Sequence, residues 1–335
     1  MISSNSKELT SFSLAQECDY IYSGVFEQEQ LKNLGIDNFR VFKQLQSQYL
    51  VVKNRKINFY KNINIFSSLD FVEELFYLIK EKGYIADFNL YTHQSDRSVD
   101  SKLFNKRPHN LNKWYSTNVN HRHDNLINIP IGIANNHPKN LRIQDIQNTN
   151  IVNANLKNKL LYVNFQANTN KKHRQGLYDY FRQFDWAEVD EPNITHSEYA
   201  YKIKSIPFNL APWGNGFDTH RFWETVYLHS IPITKKQYTY DNYNSFPYLQ
   251  VDDYSQIDKL FLINKLNEIN KIKYDYKELN PNYWIQNNKE AKNMVNTEEN
   301  VQRYYFIYFL EKKHNFILKF KSKLKIIKYY LNKII

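Results

Sequence analysis

Apolar positions along the chain fall into two successive series in which short strand-like runs alternate with helix-like faces. In the first series, residues 49–54 (YLVVKN) and 57–66 (INFYKNINIF) are rich in β-branched and aromatic residues and predict strands. Residues 67–83 (SSLDFVEELFYLIKEKG) then take helical spacing. Phe71, Leu75, Leu78 and Ile79 share one face, Ser68 or Asp70 is placed to cap the start, and Gly83 ends it. Residues 86–93 (ADFNLYTH) predict a strand that delivers QSDRSVD to a loop. Residues 113–119 and 125–133 (NLINIPIGI) predict two more strands. Roughly the first 15 residues are polar and read as loose. Alternation of this kind predicts an α/β fold with a parallel sheet covered on both faces.

Residues 134–158 are Asn-rich, contain a proline and carry only scattered apolar positions, which places a domain boundary there. The second series follows. Strands are predicted over 159–165, 187–189, 207–212, 231–234 and 247–253. Helices are predicted after NTNKK, over 195–206 and over 218–230. The helix from Thr195 opens with a capping signature, since Glu198 follows three residues on. At the C-terminus Phe316, Phe320, Leu324, Ile327, Leu331 and Ile334 recur at helical spacing among lysines, and no acid follows Glu311. A basic amphipathic helix is expected over 311–335. Residues 314–335 would either lie on an anionic membrane surface or pack on the body of the protein.

Composition narrows the classes. With 42% hydrophobic and 16% aromatic residues, the 335-residue chain can bury substantial cores. No apolar run approaches the ~20 residues needed to span a bilayer, and no signal peptide is expected at the N-terminus. Cys18 is the single cysteine, which excludes intrachain disulfides and Cys-based zinc sites and suggests a reducing, cytoplasmic setting. A net charge of +11 favours anionic partners, although the abundance of Asn, Lys, Ile and Tyr also fits codon bias on a solvated surface.

Candidate chemistry concentrates in residues 209–224, NLAPWGNGFDTHRFWE. Two of the seven glycines lie here, in a Gly-x-Gly turn between a predicted strand and a predicted helix. Glycines in such a turn let the backbone approach a ligand, and a helix start offers N–H groups to phosphate. A tight turn needs glycine for its own reasons as well. His220 and Arg221 add polar and cationic groups, and Glu224 follows one turn later.

The wider string PWGNGFDTHRFWETVYLHSIPI resembles the signature of the exostosin-like glycosyltransferases. The matching positions are Pro212, Gly214, Gly216, Asp218, His220, Arg221, Trp223, Glu224 and Pro232. LLYVNFQANTNKKHR is similar to a second family segment through Thr169, Asn170 and Arg174. THQSD resembles a third through His93, Ser95 and Asp96, and INIPIGIAN resembles the close of the family's N-terminal domain. Lys171 and Gln94 depart from the family's Pro and Asn, and Trp213 makes the glycine turn bulkier. The likeness covers about residues 86–255 and is strongest over 205–235.

That resemblance implies two Rossmann-like domains facing across a cleft, the GT-B architecture. The acceptor side would span 1–145, the nucleotide-sugar side 146–310, and the helical extension would complete the chain. It implies an inverting glycosyltransferase moving a sugar, from a UDP-sugar by preference, to a glycan or lipid-linked acceptor. Thr169, Asn170, Arg174, Gly214, Asn215, Gly216, His220, Arg221 and Glu224 would bind the nucleotide-sugar, with the arginines on the diphosphate and Glu224 on the ribose. Asp96 would serve as general base. The sequence contains no Asp-x-Asp, so no metal or other cofactor is expected. The expected location is cytoplasmic, with peripheral membrane contact as one reading of the C-terminal helix. Two alternatives stand beside this one: a nucleic-acid-binding protein using its basic surface, and a non-catalytic, glycan-binding transferase homologue. Against the first, no helix-turn-helix, zinc finger or RNP-type string is present, and no nucleic-acid partner is expected.

Overall fold

The structure, a computed structural model, describes residues 8–34, 40–45, 49–54, 57–134, 141, 143–147, 149, 156 and 158–285. All of these lie in one compact unit. The expected helix over 311–335 and most of the Asn-rich boundary segment lie outside them.

The chain opens with α1 (Ser11–Glu17), β1 (Tyr20–Ile21), β2 (Ser23–Glu27), α2 (Gln28–Asn33), β3 (Arg40–Leu45) and β4 (Tyr49–Lys53). It continues through β5 (Ile63–Ser68), α3 (Val72–Lys82), β6 (Phe88–His93), α4 (Ser101–Phe104), β7 (Leu111–Ser116), β8 (Leu126–Asn128) and α5 (Ile143–Gln147). The second series is β9 (Leu161–Val163), α6 (Lys171–Arg174), α7 (Leu177–Arg182), β10 (Ala187–Val189), α8 (His196–Ser205), β11 (Phe208–Leu210), α9 (His220–Tyr227), β12 (Ile231–Lys235) and β13 (Leu249–Val251). Helices α10 (Lys259–Ile269) and α11 (Pro281–Trp284) follow.

The fold is α/β with two five-stranded sheets, ordered β1-β5-β6-β7-β8 and β10-β9-β11-β12-β13, every pairing parallel. This is compatible with two Rossmann-like domains. The central strands β5 and β6 are buried along their whole length, as expected of parallel strands covered on both faces. Helix α3 buries Val72, Leu75, Phe76, Leu78 and Ile79, and Gly83 ends it in the left-handed region with φ 66°. No described helix is long and apolar enough to cross a membrane.

Four local expectations are corrected. The N-terminal stretch is helical from Ser11, because Thr10 and Ser13 form a reciprocal capping box and Leu9, Leu14 and Ala15 are buried. β4 joins an antiparallel three-stranded sheet with β2 and β3 instead of the parallel one. Residues 57–62 precede β5 as loop and turn, where Asn62 takes φ 62°. Neither Ser68 nor Asp70 caps α3 through its side chain: a 3-10 turn over Leu69–Phe71 intervenes, and Asp70 Oδ1 accepts from Ser95 Oγ at 2.7 Å.

One face of the first sheet is covered by α3 and α4, with Phe76 edge-on to Trp114 at 5.2 Å. On the other face, Phe66, Tyr91 and Tyr115 share a core with Trp223, Val226 and Tyr227 of α9 and with Tyr243, Phe246 and Trp284. The two series are therefore joined by a common aromatic core. Each such side chain contributes roughly 1.5–3 kcal/mol by leaving water. Helix α9 is the element that both halves grip, and its first turn carries the candidate chemistry.

Candidate functional site

In the second sheet the strand order runs two-one-three-four-five in chain sequence, so its direction of winding reverses between β9 and β11. At such a reversal the loops leaving adjacent carboxyl ends diverge, and open parallel sheets hold ligands there. The loop after β9 carries Asn164, Thr169, Asn170 and Arg174; the loop after β11 carries the glycine turn and leads into α9. The expected nucleotide-sugar residues are thus brought to one end of one sheet.

The glycine turn is shaped by close approach of the chain to itself. A Cβ at Gly214 would lie 3.2 Å from Arg174 Nη2, and one at Gly216 would lie 2.8 Å from both terminal atoms of Asn118. Asn118, beyond β7 in the left-handed region at φ 55°, accepts from the Asp218 amide at 2.8 Å and donates to Ser95 O at 3.3 Å.

Arg174 is 6% exposed and its donors are largely engaged. Nε donates to Trp213 O at 2.8 Å, Nη1 to Gln166 O at 2.7 Å and Thr169 Oγ1 at 2.6 Å, and Nη2 to Pro212 O at 2.9 Å. Burial, then the charge of Arg221, lower its pKa to about 10. Asn170 Nδ2 donates to Gly214 O at 2.7 Å. Thr169, Asn170 and Arg174 accordingly hold the glycine loop in place. A hollow of about 350 Å³ opens beside Arg174, lined by Lys171, Gly176, Tyr178, Arg182 and Glu191 among others.

Arg221 is half-buried and differs in kind. Its Nη1 donates to Asn164 O and, at 3.2 Å, to Tyr199 OH, while Nε and Nη2 make no hydrogen bond with the described residues. Tyr199 of α8 in turn donates to Glu224 Oε2 at 2.9 Å. Glu224 is 5% exposed, so it stands behind Arg221 as a buried counter-charge and not at an open rim. Burial raises the Tyr199 pKa well above its ordinary value, which keeps the bridging hydroxyl protonated between the two charges.

Asp218 is buried at the foot of the turn. Its Oδ2 accepts from the Ile131 amide at 2.8 Å; Oδ1 accepts from the Thr219 amide at 2.9 Å, Trp223 Nε1 at 2.7 Å and Tyr240 OH at 3.4 Å. Burial pushes its pKa up to about 7 against the pull of these donors. His220 begins α9, and its Nδ1 lies 2.7 Å from Gly132 O. Asp96, exposed on the loop after β6, accepts from Asn215 Nδ2 at 3.2 Å, so the expected base does reach the glycine turn.

Tyr199, Asn118, Asn164 and Gly132 escaped the sequence reading. Only Gly132 carried a signal, as a glycine inside the apolar run INIPIGI. His121 and His123 lie beside Phe104 at 5.4 and 4.6 Å, and no group of three or more metal-ligating side chains occurs among the described residues. No protein-family model matches the chain, and no curated protein matches it.

Proposed function

We propose that this chain is a glycosyltransferase of exostosin-like type, moving a sugar from a nucleoside-diphosphate sugar, a UDP-sugar by preference, to a glycan or lipid-linked acceptor. The reaction inverts the anomeric carbon and needs no metal, and the two sheets pair as GT-B halves. The observation that carries the reading is Arg221: it stands at the winding reversal of the second sheet with Nε and Nη2 uncommitted among the described residues, oriented by Asn164 and, through Tyr199, by Glu224. As the nucleoside diphosphate leaves, negative charge grows on its phosphate oxygens. A preoriented guanidinium and the amides at the start of α9 stabilise that charge without rearranging.

The test is a thermal-stability series with UDP, GDP, CMP, ADP and a single-stranded oligonucleotide, on the wild type and on Arg221→Ala. A ligand at ~100 times its dissociation constant stabilises by about 2.7 kcal/mol. One nucleoside diphosphate is expected to raise the midpoint by a few degrees in the wild type and not in the variant. A response to the oligonucleotide alone would transfer the basic surface to nucleic-acid binding and end the transferase reading.

A further inference from the structure

We infer that His220 is the general base that deprotonates the acceptor hydroxyl, an inference that rests on the glycosyltransferase reading. Gly132 O has lone pairs only, so the 2.7 Å contact requires the hydrogen on His220 Nδ1. In the neutral ring Nε2 is then the site with the free lone pair. Nε2 makes no hydrogen bond with the described residues, and the ring is half-buried, not sealed.

The neighbouring histidine shows the contrast. His93 has both nitrogens engaged: Nε2 lies 3.1 Å from Ile131 O, and Nδ1 accepts from the Gln94 amide at 2.8 Å. Burial and the proximity of His220 lower its pKa to about 3, so it stays neutral and adds no charge beside His220. His93 braces the 131–132 segment, while His220 keeps a nitrogen for chemistry.

The carbonyl that fixes the His220 tautomer is itself immobilised. Gly132 sits at φ 66°, with Leu9 O where a side chain would project, 2.1 Å from a Cβ. The Ile133 amide donates to that same Leu9 O at 3.0 Å. Position completes the case. His220 and Arg221 are consecutive at the start of α9, yet His220 is tied to Gly132 after β8 and Arg221 to Asn164 after β9. One turn of helix thus carries a proton acceptor toward the first series and an anion-binding cation toward the second. An inverting transfer needs that pair on opposite sides of the anomeric carbon. Asp96, exposed and engaged by Asn215, is left as a tie between its loop and the glycine turn.

In the step, the acceptor O–H proton passes to Nε2, the oxygen's electron pair forms the new bond to the anomeric carbon, and the bond to the diphosphate breaks with its pair leaving on the phosphate oxygen. The resulting imidazolium is held by Gly132 O.

The experiment compares wild type, His220→Asn and His220→Ala. UDP affinity is measured by calorimetry, and UDP release is measured from UDP-glucose, UDP-N-acetylglucosamine and UDP-xylose with water as acceptor. His220→Asn keeps an N–H for Gly132 O and removes the Nε2 lone pair, so it guards against loss of fold. Both variants are expected to bind UDP within about threefold of wild type and to release it about 100-fold or more slowly. Added imidazole is expected to restore the His220→Ala rate by about tenfold or more. Release by His220→Asn within about threefold of wild type, or loss of rate matched by loss of UDP affinity, overturns the assignment. A wild type that neither binds UDP nor releases it ends the UDP-sugar reading itself, and the inference with it.

Discussion

The side-chain amide of Asn118 occupies the space that any side chain at Gly216 would need. Its two terminal atoms would lie 2.8 Å from a Cβ there, and both are held, one by the Asp218 amide and the other by Ser95 O. A glycine-poor chain places glycine at this point because a residue from the first series inserts into the turn of the second. The turn's shape therefore depends on Asn118, a residue nearly a hundred positions away in sequence.

Gly216→Ala should accordingly be costly although the turn needs no positive φ at this residue. The Asn118 amide cannot swing aside without breaking both bonds, so the expected loss is about 1–3 kcal/mol. Denaturant titration of the variant gives the number directly. Unchanged stability would show that the two loops separate freely.

Arg174→Lys separates two roles for that residue. An ammonium cannot reproduce four donations fanned across Pro212 O, Trp213 O, Gln166 O and Thr169 Oγ1. Buried acceptors are then left unpaired, and a loss of about 2–3 kcal/mol in stability is expected. A direct diphosphate ligand would behave otherwise: nucleotide affinity would fall while stability held. Urea midpoints measured beside UDP affinity distinguish the two.

Asp218 predicts a pH dependence with a definite sign. Its pKa is raised from the ordinary carboxylate range to about 7 in the fold, with burial as the main cause. Between roughly pH 4 and 7 the folded chain keeps a proton that the unfolded chain has released. The stability this group contributes is thus fully present below its unfolded pKa and is lost as pH rises through about 7. Asn at this position does not titrate, so the cost of Asp218→Asn should be larger at pH 5 than at pH 8. Equal costs at the two pH values would refute the shift.

Much of the framework was legible because its signals are local. Phe71, Leu75, Leu78 and Ile79 repeat at helical spacing and Gly83 stops the run, and the structure buries Leu75, Leu78 and Ile79, leaves Phe71 partly buried in the preceding turn, and ends the helix at Gly83. β6, β9 and β11 are short apolar runs bounded by polar loops, and they fall within the spans that pattern predicts, while β12 runs one residue beyond its span. α1 was missed because Ser11 and Ser13 look like loop residues until the Thr10–Ser13 capping box engages Ser13 and Gln94 Nε2 donates to Ser11 Oγ at 3.1 Å. The antiparallel pairing of β4 is set by β2 and β3, whose own sequences gave no distinct pattern. At the site, the residue types in 209–224 announced chemistry, but the division of labour did not show. Whether an arginine is free or engaged depends on carbonyls such as Gln166 O and Asn164 O, and on hydroxyls such as Tyr199 OH, which only tertiary structure brings near.

Gly132 gives the sharpest structural prediction. An alanine there must hold a left-handed backbone, costing roughly 1–2 kcal/mol, and must displace the Leu9 carbonyl. Leu9 is anchored on both sides, by its amide to Tyr227 OH at 2.8 Å and by its carbonyl to the Ile133 amide at 3.0 Å. Displacement therefore frees the segment leading into α1 before it disturbs either parallel sheet. Gly132→Ala is expected to speed hydrogen exchange at the amides of Leu9 and Ile133 while those of β6 and β11 stay protected. Because Gly132 O also orients His220, the same variant should slow UDP release more than it weakens UDP binding. Slow exchange at Leu9 and Ile133 in the variant would mean that the N-terminal segment does not depend on this crossing.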